Sequence, residues 1–255
     1  MCKFPKENIS LAYYIFYSFI KINILGKLYN LKFLVIKKTN ECEDNSFQRI
    51  QSMKPSQKEN LHRLATGISD VFVPPLMAAI AFLLLCLHYA NNFGQFALWI
   101  ITCFIFASML PMAYVIYLKI NGQVSHPLIP IKEQRNKPYL YGMMCYTIGF
   151  ILLIFLHAPI LITALMFCYL TNTAITFIIN RSWKISAHTM GVAGPLMCLS
   201  FLWPKSVLPV YLLIPVVGWA RVYLRAHTLM QAIAGGLLGL LLTFIQLKII
   251  LQINF

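Results

Sequence analysis

Two histidines stand at short, suggestive distances from a hydroxyl and a guanidinium. One occurs as Ser186-Ala187-His188 within "KISAHTMGVAG". The other is His227, which follows Arg221 after five residues and precedes Gln231 by four positions. A third group, Lys132, Arg135 and Lys137, precedes Pro138. These residue types suit phosphoryl chemistry, where converging cations neutralise charge spread over the phosphoryl oxygens. Ser186, placed ahead of an apolar run, can cap a helix, and the free N–H groups of that first turn then form an anion site. His188 would sit on the same turn. His227 and Gln231 are spaced to share one helix face. An amide oxygen one turn on can take the proton of one ring nitrogen and leave the other free as a nucleophile.

The elements that must position these groups are membrane helices. The chain has 255 residues, 59% hydrophobic and only 11% charged, against about 25% charged in ordinary soluble domains. Several apolar runs approach the roughly 20 residues that cross a bilayer. The expected fold is all-α: a multi-pass transmembrane helical bundle of about seven spans. Helices are expected near 71–90, 96–119, 139–156, 159–179, 187–203, 207–224 and 228–250. Pro74-Pro75 should begin or kink the first, and Gly235 and Gly239 should allow close helix packing in the last. Residues 1–70 read as a polar or amphipathic N-terminal extension and 71–255 as the transmembrane domain. Within the extension, an interfacial helix is expected over 11–36 and a flexible polar tether over 37–60. Met53 offers an alternative start, which would leave 1–52 outside the native chain.

Charge narrows the chemistry. Lys and Arg number 21 against 7 acids, and after Asp70 the one acid is Glu133. Carboxylate-pair hydrolysis and carboxylate-held magnesium or calcium are excluded from the membrane part. The scattered cysteines contain no CxxC pair and read as small buried hydrophobes rather than a zinc site. The basic residues lie in short loops between apolar runs, which points to membrane lipids as partners and away from nucleic acid. Loops 120–138, 180–186 and 221–227 are separated by two helices each, so they share one membrane face. Their positive charge places that face in the cytoplasm of a cell-membrane protein.

The layout resembles the type 2 phosphatidic acid phosphatase superfamily, whose motifs are K-x6-R-P, P-S-G-H and S-R-x5-H-x3-D. The second reads Ile185-Ser186-Ala187-His188 here, and the third Ala220-Arg221, five residues, His227, three residues, Gln231. In the first, Lys137-Pro138 stands for Arg-Pro. Pro130 occupies the place of the leading lysine, so Lys132 or Arg135 would supply that cation. The resemblance implies a helical phosphatase-like core, six helices being one form of it, and metal-independent catalysis with no cofactor. It implies His227 as the nucleophile that forms a phosphohistidine, oriented by Gln231, with His188 as the general acid. Arg221, Ser186, the Ala187 backbone, Lys132, Arg135 and Lys137 would hold the phosphate. The implied activity is hydrolysis of a lipid phosphomonoester or an isoprenyl or lipid diphosphate. With an amide at 231 in place of the motif's carboxylate, the alternative is a weak or inactive relative that binds anionic lipid without cleaving it.

Overall fold

The computed structural model describes residues 52, 54–125, 129 and 131–252. The interfacial helix expected over 11–36 lies outside them, as does most of the expected tether. Among the described residues, eight helical elements form one unit: α1 (Pro55–Val71), α2 (Pro74–Tyr89), α3 (Phe93–Ile120), α4 (Glu133–Phe155), α5 (Ile160–Ser182), α6 (Ala187–Ser200), α7 (Pro204–Tyr223) and α8 (Leu229–Ile250). No strand occurs among the described residues. The seven expected apolar helices are α2 to α8.

Residues 55–60 correct one expectation. They open α1 rather than extend the tether. Pro55 fits the first helical position, where a missing N–H costs nothing. Glu59 and Arg63 pair one turn apart at 2.6 Å, and the Tyr223 hydroxyl donates to the Lys58 carbonyl. α1 and α2 meet at a bend of 52°. The cause is Pro74-Pro75: the residue before a proline is pushed out of the helical region, and Val73 is extended with ψ 145°.

Length and composition qualify α3, α4, α5, α7 and α8 to cross a membrane, and the bent α1–α2 pair would make a sixth. This lowers the expected count of about seven. α6 has 14 residues, about 21 Å at the helical rise, short of the roughly 30 Å hydrocarbon core.

α6 and α8 form the most extensive helix pair. On α8, Gly235, Gly239, Thr243 and Leu247 are buried, whereas Leu237, Leu241, Ile245 and Ile249 are exposed. Both faces are apolar, so side-chain size rather than polarity separates inside from outside, as expected where lipid is the solvent. A Cβ at Gly235 would lie 2.4 Å from the Ser186 carbonyl oxygen, and one at Gly239 would lie 2.8 Å from that of Met190. Deeper down, Thr171 donates to Gln246, Gln246 to Asn172 and Asn172 to Thr243, at 2.9–3.0 Å. This ladder ties α5 to α8 where water is scarce.

Gly235→Ala is expected to destabilise by about 1–3 kcal/mol, because the helix pair is already in backbone contact. Gly67→Ala, where nothing lies within 4 Å, is the matched control. Thermal unfolding in detergent should show a lower midpoint for the first variant alone.

Candidate active site

The local sequence explains how the ends of α6, α7 and α8 meet. α5 stops at Trp183, which is extended, and Ser186 caps α6 by accepting from the Thr189 amide at 3.4 Å. The Ser186 amide donates to the Gln231 carbonyl at 3.2 Å. The Thr189 hydroxyl donates to the Ala232 carbonyl at 2.9 Å. These bonds fix the first turn of α6 against the first turn of α8.

The spacing between Arg221 and His227 has a structural cause. Two residues past the end of α7, Arg225 lies in the left-handed region, φ 52°. The turn folds the chain back, so the amides of Ala226 and His227 donate to the Arg221 carbonyl at 3.0 and 3.2 Å. Left-handed helix ends of this kind satisfy carbonyls that the helix leaves open. The Lys184 ammonium donates to the Ala226 carbonyl at 2.5 Å and pins the turn from the opposite side.

The tautomer of His227 follows from its neighbours. Thr228 and Gln231 form a capping box at the start of α8. The Thr228 amide can only donate, so the Gln231 oxygen Oε1 faces it at 3.2 Å. The same oxygen lies 3.1 Å from His227 Nδ1, which therefore carries the proton. On the other side, His227 Nε2 lies 3.4 Å from Arg135 Nη2. A guanidinium has no lone pair to offer, so Nε2 is the acceptor. Its lone pair is the one the ring leaves available. Burial, then the charges of Arg135, Lys184 and Arg221, push the His227 pKa down to about 3, with the Gln231 bond acting weakly the other way. The ring is neutral at physiological pH.

Arg135 is itself held. It is buried, and it donates from Nε to the Ile129 carbonyl at 2.9 Å and from Nη1 to the Ile185 carbonyl at 3.1 Å. Arg221 is 1% exposed. Lys184 sits between them, and burial together with the charges of Arg135 and Arg221 lowers its pKa. Among the described residues no carboxylate forms an ion pair with any of these cations. Three cations around a neutral imidazole make a site prepared for an anion.

Arg135, Arg221, His227 and Gln231 thus come together with Ser186, and His188 stands on the first turn of α6. Two expected phosphate ligands do not join them. Lys132 reaches the Arg181 carbonyl at 3.1 Å, and Lys137 reaches the Gln123 side chain at 2.7 Å. Both tie the surface loop after α3 to its surroundings, because a long side chain at the rim gains a partner and stays hydrated there. Ala187 offers only backbone and a methyl group. Lys184 and Ser69 are present without having been expected. Ser69 had no signal in the sequence, since it lies 152 residues from its partner Arg221.

A cavity of about 260 Å³ opens beside the site. Arg135, Tyr139, Tyr146, Asn172, Thr176 and His188 line it, on walls supplied mainly by α3, α4, α5 and α6. From Arg135 to Tyr146 along α4 is about 16 Å at the helical rise. His188 is 7% exposed, and its Nε2 is buried without a hydrogen-bond partner. His227 is not part of the cavity wall.

A family model, the PAP2 superfamily, matches residues 142–254. Searches of curated proteins and of solved structures gave no match. The match supports a phosphatase-related function, and together with the apolar helices it points to a membrane protein. The matched PAP2 segment holds both histidines but begins after Arg135. Only the folded chain brings that arginine to His227.

Gln231→Glu tests the orienting role. A carboxylate of equal length keeps the capping box and faces the same Nδ1–H. It should raise the His227 pKa and strengthen Nε2 as a nucleophile, since charge-assisted hydrogen bonds are roughly twice as strong as neutral ones. A rise of about tenfold in kcat corresponds to about 1.4 kcal/mol. Steady-state phosphate release by the two proteins decides it.

Proposed function

We propose that this protein hydrolyses a lipid phosphomonoester, or an isoprenyl or lipid diphosphate, without a metal. The carrying observation is His227, whose Nδ1–H is held by Gln231 and whose Nε2 lone pair faces a buried arginine. Nε2 attacks phosphorus, so a P–N bond forms as the P–O bond to the lipid breaks. His188 gives its proton to the departing oxygen. A water then attacks the phosphohistidine, giving up its proton to His188 as the P–N bond breaks and inorganic phosphate leaves. Burial, then the charge of Arg221, holds the His188 pKa well below the ordinary histidine value, and a phosphate bound among Arg135, Arg221 and Lys184 supplies the negative charge that favours its protonated form. Ser186 and the amides of the first turn of α6 complete the anion site.

The cavity supports the division of labour. The leaving oxygen carries the lipid, so its proton donor belongs on the tail side of the phosphate. His188 lines the cavity and His227 does not. The cluster of loop cations makes the cytoplasmic face our assignment for the site.

The amide at position 231 favours a second reading, a protein that binds anionic lipid and turns it over slowly or not at all. Two measurements on the purified protein separate these. Phosphate release is expected from at least one of phosphatidic acid, phosphatidylglycerol phosphate and farnesyl diphosphate, and vanadate should raise the unfolding temperature. Stabilisation by vanadate with no release from any substrate supports the binding reading. The absence of both removes the phosphate site altogether.

A further inference from the structure

Arg221 is the largest fully buried side chain in the bundle. A buried cation needs partners, and leaving one uncompensated is strongly destabilising. Its Nη1 donates to the hydroxyl of Ser69, which is 0% exposed and stands in the last turn of α1. Its Nε is also buried and has no partner. The guanidinium is a planar fork with donors in fixed directions. Once Nη1 is fixed on Ser69, the plane is set, and the edge formed by Nε and Nη2 is left for a bidentate anion.

We infer that Ser69 is a positioning residue for phosphate binding: it orients the Arg221 guanidinium from a helix outside the PAP2 segment. The neighbour of Arg221 in its own helix, Ala220, is buried and apolar and cannot supply a hydroxyl. α1 delivers one instead. Its docking is suited to that: α1 packs along α7, the Tyr223 hydroxyl holds the Lys58 carbonyl, and Val73-Pro74-Pro75 sets the angle at which α1 meets the bundle. α1 is otherwise largely exposed, with Ala65 and Ser69 its buried residues. The active site therefore draws on four separated stretches, near residues 69, 135, 186 and 227.

This inference rests on Arg221 holding the phosphate, and vanadate binding tests the two separately. Vanadate affinity would be measured by thermal shift and by inhibition for the wild type, Ser69→Ala, Ser69→Thr, Arg221→Lys and the double variant Ser69→Ala with Arg221→Lys. Ser69→Ala should weaken vanadate about tenfold and raise KM more than it lowers kcat. Ser69→Thr, which keeps the hydroxyl, should restore most of the affinity. The double variant should be no weaker than Arg221→Lys alone, because contacting residues that act through one group are not additive. If Ser69→Ala binds vanadate like the wild type, or if its effect adds in full to Arg221→Lys, the positioning role is overturned and the phosphate site stands. If the wild type binds no vanadate, both ideas fall.

Discussion

His227→Asn is expected to lower phosphate release by a factor of about 10³ or more, since removing the nucleophile removes the covalent route. The variant keeps a hydrogen-bonding group beside Gln231, so the start of α8 should hold its shape. Vanadate should still stabilise it, because Arg135, Arg221 and the first turn of α6 remain. His188→Asn should behave differently. It leaves Nε2 of His227 able to attack and removes the proton for the leaving oxygen, a contribution of about 10²–10⁴, together with the group that takes the water's proton when the phosphohistidine is hydrolysed. Its loss should shrink for substrates with acidic leaving groups, such as a nitrophenyl phosphate, which need no proton. Protein mixed with labelled substrate and quenched in alkaline detergent, which preserves the acid-labile P–N bond, should then carry phosphate in the His188 variant and none in the His227 variant. Equal loss with both substrates in both variants would undo the assignment of roles.

The second large effect belongs to Arg135. Arg135→Gln should reduce kcat/KM by about 10²–10³, the scale for removing one preorganised donor from a developing charge. Lys132→Gln and Lys137→Gln should stay within about threefold, because those ammonium groups are engaged with the Arg181 carbonyl and the Gln123 side chain. The contrast separates a buried cation fixed at both ends from rim cations that position a loop. It also has a signature in pH. Arg135 is the first of the charges holding the His227 pKa at about 3, so its removal should raise that pKa. The acid limb of kcat/KM should move to higher pH in the variant, because more acid is no longer needed to protonate Nε2. If Lys137→Gln proves as damaging as Arg135→Gln, the phosphate sits elsewhere in the loop cluster.

Much of the site was legible from residue types and spacing. Ser186 announced itself as a cap because serine ahead of an apolar run has few other uses there. His227 and Gln231 were readable as a pair because α-helical spacing puts positions four apart on one face. The first basic cluster was not resolvable the same way. Lys132, Arg135 and Lys137 are alike in charge and within one turn or two of each other. What separates them is that Arg135 is drawn inward by two backbone carbonyls. Helix existence was readable, and helix facing was not. α8 is apolar on every side, so periodicity carries no contrast, and only the contact of Gly235 and Gly239 with α6 shows which face is inside.

The sequence by itself determined a helical membrane protein with a carboxylate-poor polar site, since its composition leaves no other way to place so many apolar residues and so few carboxylates. It also determined that two histidines, a serine and an arginine lie at helix ends. Only the tertiary structure decided which cation meets which histidine. That choice depends on side chains tens to hundreds of residues apart, as with Ser69 and Arg221, separated by 152 positions. No local pattern encodes such a contact. It exists because a buried guanidinium must find donors' partners wherever the packed helices bring them.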